Sequence, residues 1–430
     1  MTLLTANNSG IRAQLLVQLQ HPICLLLLQI VLILLVSRIF GLIFARLRQP
    51  AVIGEIVAGI FLGASVFGSI WPHFFNVVFP ATSIGNLDVL SKMGLAFFMF
   101  IIGMELDLNE LKRNAKSLLI ISVSSIAIPF MCGIGLAFYL FPHFSMPGVS
   151  FLVFSIFIGI SLSITAFPVL ARIIKTRVLQ KTPLGTLVLS IAALSDVLAW
   201  CILAIIIAVA KSGSFSMTLF TLLGTLVFIL LMLFVVRPFL EKLISRLRTA
   251  HYGDSNVVVL SFIVLLLSAF ISEFIGIHML FGAFLAGVLI PQNDSLKHAL
   301  SSKLEDVSVL LLLPIFFALT GLRLHISLLD TSDMVFVCVG IVLVATIGKF
   351  VGSALPARLL GMSWKDSMCI GIFMNTRGLM ELVVLNIGYE LGILSPALFA
   401  MLTIMAIITT IITSPLLDLT EYFFRRKNLS

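Results

Sequence analysis

Sparsely charged, strongly apolar runs recur from residue 23 to residue 418. Most reach the roughly 20 residues that a helix needs to cross a hydrocarbon core of about 30 Å. Turn and charge signals divide them into thirteen spans: 23–44, 50–71, 86–104, 117–140, 149–172, 183–210, 216–238, 256–274, 277–291, 305–322, 333–360, 365–389 and 394–418. A soluble surface cannot be made from this material, because 60% of the 430 residues are hydrophobic and 11% are charged, against about 25% charged in ordinary soluble domains. The expected fold class is an all-α polytopic membrane protein, which excludes soluble enzymes and disordered chains. The first run is too long for a signal-peptide core, and no small-residue cleavage site follows it. Cys24, Cys132, Cys201, Cys338 and Cys369 lie far apart inside apolar stretches. They read as buried hydrophobes, with neither a zinc spacing nor a disulfide framework, and no cofactor is expected.

Basic residues in short loops set orientation. With the N-terminus outside, twenty Lys and Arg fall on the cytoplasmic side, from Arg46 and Arg48 to Arg425, Arg426 and Lys427, while Arg12, Lys211 and Arg323 fall outside. The formal net charge of +8 is therefore a topology signal, and no nucleic-acid partner is expected. Opposite sides for the termini require an odd number of spans. The expected organisation is an outer segment 1–22, a first six-helix half 23–210, a linker helix 216–238, a second half 256–418 and a short basic tail 419–430 with no soluble domain appended. The expected location is a bacterial inner (plasma) membrane, N-terminus out and C-terminus in.

The halves resemble each other. Phe98-Met-Phe-Ile-Ile-Gly103-Met-Glu105-Leu in the third span and Phe316-Phe-Ala-Leu-Thr-Gly321-Leu-Arg323-Leu in the tenth share a pattern 218 residues apart. Helix-breaking clusters, Thr165-Ala166-Phe167-Pro168 and Asn375-Thr376-Arg377-Gly378, sit mid-membrane 210 residues apart. Seven spans of offset give the copies opposite orientation, the inverted-repeat pattern of secondary transporters.

Four charges fall near span midpoints: Asp196, Lys349, Arg377 and Glu381. Each costs about 2.5–3.5 kcal/mol on insertion scales and so calls for a role. Glu55 and Glu273 lie nearer span ends. A carboxylate withdrawn from water at Asp196 persists as a neutral acid or with a bound cation, and seldom as a bare anion. That exclusivity is the chemistry of exchange. Lys349 has no carboxylate within four residues on its own helix, so its expected partner is Asp196. Arg377 and Glu381, one helical turn apart, read as a structural pair in a broken span. Pro168 breaks the fifth span and frees carbonyls. Asp196, Ser195, Thr165 and those carbonyls are the expected oxygen ligands of a small cation, Na+ or K+.

These motifs resemble the monovalent cation:proton antiporter family that includes Kef-type and NapA-type transporters and plant cation/proton exchangers. The matching residues are Ser163 to Arg172, Ser195-Asp196-Val197, Gly276 to Gly287, Gly348-Lys349-Phe350 and Asn375 to Leu382, and together they cover essentially the whole chain. The resemblance implies the NhaA-like antiporter fold with thirteen helices and two crossed broken helices, elevator-type alternating access, homodimers, ion binding at Asp196 and pairing of Lys349 in the ion-free state. The position before the essential Asp is Asp in electrogenic relatives, Asn in many electroneutral ones and Gln in Kef-type proteins; here it is Ser195. If Lys349 keeps its proton, one proton exchanges per cation; if it releases it, two do. The same fold also serves sodium-coupled organic-anion symporters, for which a midspan Asp–Lys couple is not expected. An intramembrane aspartyl protease would need two facing carboxylates, and a channel would not need a titratable midplane site.

Overall fold

Inside a bilayer, backbone polar groups must find partners within the protein, which leaves helices or closed barrels. The computed structural model describes residues 21–47, 49, 51–105, 115–179, 182–211, 215–249, 254–291, 294–324 and 331–427. These residues are helical throughout apart from connections and one isolated bridge between Ser145 and Leu394. Among them ten helices are long and apolar enough to cross a membrane: Pro22–Arg46, Ile53–Ile70, Ala81–Met104, Lys116–Phe144, Pro183–Ile207, Leu219–Ile244, Asn256–Ile275, Leu300–Leu322, Ser332–Leu359 and Pro396–Phe424. Phe151–Ser163 and Met279–Val288 are shorter apolar helices. The count of thirteen is reached only by adding Met279–Val288 and two interrupted helices to those ten.

The first broken helix consists of Phe151–Ser163 and Phe167–Thr176, and the second of Trp364–Met374 and Leu379–Glu390. The first interruption, Ile164–Ala166, falls ahead of Pro168 rather than at it. Pro168 occupies the first turn of the following half, where a missing N–H costs nothing. The last helix runs on to Lys427, past the expected boundary at 418, carried by the further apolar residues Leu419, Tyr422 and Phe423. Most of the expected basic tail is therefore helical.

Two compact units emerge, Met1–Leu95 with Asp306–His325, and Ala96–Glu305 with Ile326–Ser430. They cut across the two sequence halves. In the first unit, helices Ala51–Leu62 and Leu313–Leu322 meet backbone to backbone: a Cβ at Gly59 would lie 2.6 Å from the Ala318 Cα. Its buried amide, Gln29, donates to the Val78 carbonyl (2.6 Å) and the Ser83 hydroxyl (2.7 Å). Asp88 holds Arg323 at 3.0 Å and Lys92 at 2.8 Å.

The second unit contains both broken helices. Helix Ala115–Phe144 packs along Phe151–Ser163, where a Cβ at Gly133 would come within 2.7 Å of the Gly159 Cα, and along Ser332–Leu359. Leu118, Ile121, Ala166, Leu170, Ile191, Ile370 and Phe373 form part of one buried apolar cluster under the crossing.

Candidate functional site

An unbroken helix would pair the carbonyls of Ser161, Leu162 and Ser163 with the N–H groups of Thr165, Ala166 and Phe167. The extended Ile164–Ala166 segment cancels those bonds, and five of the six groups find another partner. The Arg377 guanidinium donates to Ser161 O at 2.8 Å and to Leu162 O at 2.6 Å. The Lys349 ammonium donates to Ser163 O. Ala166 N–H reaches Thr376 O at 3.0 Å, and the Thr165 hydroxyl donates to Met374 O at 3.0 Å, so the two interruptions cross in direct contact. Phe167 N–H points at Asp196 Oδ2, 3.3 Å away. Two cations thus sit at a half-helix C-terminus and one carboxylate at a half-helix N-terminus, as the peptide dipoles favour.

Lys349 has a second carbonyl, Ser125 O at 2.9 Å. That carbonyl is free because Pro129, four residues on, has no N–H to donate to it. Among the described residues no ion pair joins Lys349 to Asp196; the expected partner of the ammonium is replaced by two backbone carbonyls. The carbonyls freed by the first break, expected among the cation ligands, accept from Arg377 and Lys349.

The second interruption spans Asn375–Gly378, with Gly378 at φ 152° and ψ −129°, a conformation essentially restricted to glycine. A Cβ there would also lie 2.8 Å from Val169 Cγ2. Arg377 and Glu381 form an ion pair at 2.8 Å, both side chains fully buried. The Arg377 peptide is held by Thr410, whose hydroxyl accepts from Arg377 N–H at 3.1 Å and donates to Arg377 O at 2.7 Å.

Asp196 is 2% exposed, and its Oδ1 has no hydrogen-bond partner in the protein. Asn375 Oδ1 and Thr376 Oγ1, also buried in the crossing, are unpartnered too. Ser195 does not bond Asp196; its hydroxyl lies 3.3 Å from that of Ser125, the residue whose carbonyl holds Lys349. Of Pro168 only the backbone position, inside Phe167–Thr176, is described. Glu273 is exposed and caps the helix Met279–Val288 by accepting from Met279 N–H at 2.8 Å.

Sequence reasoning missed Ser125, Ser163, Ser161 and Leu162 as carbonyl donors of oxygen, and Thr410 altogether. Pro129 within an apolar span was the one available signal for the first of them, since it implies a free carbonyl four residues earlier.

The geometry now has a context. Residues 31–419 match the family model described as sodium/hydrogen exchanger, transmembrane. The chain belongs to this family. It is 43% identical over 397 residues to the Na(+)/H(+) antiporter NhaS4 of Synechocystis, covering 92% of this chain and 97% of that one. It is 40% identical to Cation/H(+) antiporter 17 of Arabidopsis thaliana and 34% identical to K(+)/H(+) antiporter 1 of Saccharomyces cerevisiae, covering 93% of this chain in both cases. Of those two relatives the chain spans only 48% and 46% of the length. Its fold is similar to that of the sodium proton antiporter MjNhaP1 from Methanocaldococcus jannaschii, with a TM-score of 0.66 at 16% identity, covering 90% of this chain and 94% of that one.

Proposed function

We propose that this exchanger-family protein carries a monovalent cation, Na+ or K+, in exchange for H+ across a membrane, with Asp196 holding one or the other. The observation that carries this reading is the Asp196 carboxylate itself. It is buried, it receives one backbone N–H, and no cation of the protein stands within ion-pair distance of it, Lys349 acting on it only from farther off. An anion so placed is not stable bare. A proton and a small cation compete for the same oxygens, and only a loaded carboxylate can cross, so each inward movement of one is tied to an outward movement of the other. Thr165 and Ser195 border the site. Lys349 is held at the end of the broken helix, and one proton moves per cation if it keeps its own, two if it releases it.

Relatives that cover most of this chain are named as Na+, K+ and cation/H+ antiporters, which supports antiport and disfavours a sodium-coupled organic-anion symporter. The further architecture belongs to the same reading: thirteen crossings, two inverted halves, N-terminus outside and C-terminus in the cytoplasm of a plasma membrane, homodimers and elevator-type alternating access. Two close approaches support the inverted halves. A Cβ at Gly103 in the third span would collide with Phe284 O in the ninth, and one at Gly321 in the tenth with Gly59 in the second. Exchanging the halves converts one pairing into the other.

Proteoliposomes carrying an acid-inside pH gradient test the function. Addition of Na+, K+, Li+ or Rb+ is expected to dissipate the gradient for at least one ion. Gradients indifferent to all four, with protein shown to be inserted, would reject antiport.

A further inference from the structure

Ser and Thr in membrane helices ordinarily satisfy their hydroxyls on a carbonyl three or four residues back. The last helix, Pro396–Lys427, does this repeatedly: Thr409 bonds Met405 O at 2.8 Å, Thr413 bonds Thr409 O at 3.0 Å and Thr420 bonds Leu416 O at 2.8 Å. Thr410 departs from the pattern. Its hydroxyl lies 2.8 Å from Ala406 O, but it also accepts from Arg377 N–H (3.1 Å) and reaches Arg377 O (2.7 Å). Thr410 is 2% exposed, so these groups are withdrawn from bulk solvent.

The N–H that Thr410 receives and the Thr376 carbonyl belong to one rigid peptide plane. That carbonyl accepts Ala166 N–H at 3.0 Å, and the next N–H along, Phe167, points at Asp196 Oδ2. Four groups are therefore linked in series, through three hydrogen bonds and the backbone of one residue: the Thr410 hydroxyl, the 376–377 peptide, the extended Ile164–Ala166 segment and the Asp196 carboxylate. Unwound backbone has no ladder of its own to fix its orientation, and Thr410 supplies the missing constraint from a neighbouring helix.

We propose that Thr410 is a positioning residue for the ion site: by clamping the Arg377 peptide it sets the register of the crossing and thereby the N–H that orients Asp196. This rests on the exchange reading above. Thr410 touches no transported ion, and its effect passes through the 376–377 peptide.

The test compares Thr410→Val, Thr410→Ser and Thr413→Val in the full chain. Exchange is measured in proteoliposomes, and melting in detergent with and without the transported cation. Losing the hydroxyl leaves a buried N–H unpaired, so Thr410→Val is expected to raise the apparent cation KM roughly tenfold and displace the pH profile of exchange. It should also shrink the upward shift in melting temperature that the cation produces. Thr410→Ser, which keeps the hydroxyl, should stay within about twofold of wild type. Thr413→Val, which loses only a bond within its own helix, should leave KM unchanged. A folded Thr410→Val protein with wild-type KM and pH profile overturns the proposal, as does an equal KM change in Thr413→Val or no rescue by serine. If the valine variant does not fold, Thr410→Cys, a weak acceptor, must give an intermediate KM, and a wild-type value overturns the proposal. Absence of exchange by the wild type rejects the functional reading instead, whereas normal wild-type exchange with an unmoved Thr410→Val rejects only the role of Thr410.

Discussion

Glu381 and Asp196 are two carboxylates of one chemistry, both buried in the membrane and both beside the start of a half-helix. Glu381 lies in the first turn of Leu379–Glu390, and Asp196 faces the N–H that opens Phe167–Thr176. Glu381 has a guanidinium 2.8 Å away, from Arg377 in the interruption just before its half-helix, and that guanidinium also caps two carbonyls of the other broken helix. Each carboxylate has one oxygen without a hydrogen-bond partner, but Asp196 has only a peptide N–H on the other and no ion pair. A carboxylate neutralised from within the fold is part of the framework. One with no cation in direct contact is open to a charge from solution, which on the reading proposed above makes it the transport site. Depth in the membrane does not separate the two roles; the source of the compensating charge does.

The sharpest contrast comes from neutralising each in turn. Asp196→Asn should fold with wild-type yield, because the amide oxygen still accepts from Phe167 N–H and a buried charge has been removed, yet cation-dependent exchange should vanish. Glu381→Gln should do the reverse. It leaves Arg377 buried without its carboxylate, a change that costs about 3–5 kcal/mol, seen as a fall in melting temperature, while the surviving folded protein still exchanges. Exchange by Asp196→Asn at normal expression, or folded but inactive Glu381→Gln, would erase the distinction.

A smaller effect is expected at the hinge between them. Gly378→Ala forces a side chain into a glycine-only conformation and against Val169, at a cost of about 1–3 kcal/mol. Thermal unfolding of the purified variant measures it, and an unchanged midpoint would mean that the second interruption is not held where it is described.

A stability effect of the same size is assigned to Lys349. Its ammonium resembles Arg377 in capping a broken-helix carbonyl, and differs in having no carboxylate in direct contact. Lys349→Gln should keep part of the exchange, with an altered apparent cation affinity and a stability loss of about 1–3 kcal/mol for hydrogen bonds from a charged group. A variant equal to wild type in both assays would remove Lys349 from the site. Complete loss of exchange with intact folding would make it an obligatory proton carrier.

Much of this was legible in the chain before any coordinates. Hydropathy marks helices because the bilayer tolerates little else, and midspan charges stand out because each is costly. The interruptions were visible in Pro168 and in Thr376-Arg377-Gly378, residues that cannot continue a membrane helix unaided. What pairs with Lys349 was not visible. Its partners are carbonyls of Ser125 and Ser163, and a backbone oxygen carries no residue-type signature; only Pro129 hinted that one was free. Asp196 was the partner expected from the sequence because sequence counts side-chain charges and cannot count unpaired peptides; the direct contacts of the ammonium are carbonyls, with Asp196 acting on it from farther off. Thr410 was hidden for a related reason. One threonine among several on an apolar helix looks like a self-satisfied hydroxyl until the unwound peptide opposite it is seen.

The claim that one carboxylate alternates between a proton and a cation has a direct measurement. Purified protein in weakly buffered detergent solution, titrated with the transported cation, should release protons as the ion binds, and Asp196→Asn should release none, while Glu381→Gln releases them as wild type does. Proton release that persists undiminished in Asp196→Asn would contradict the claim.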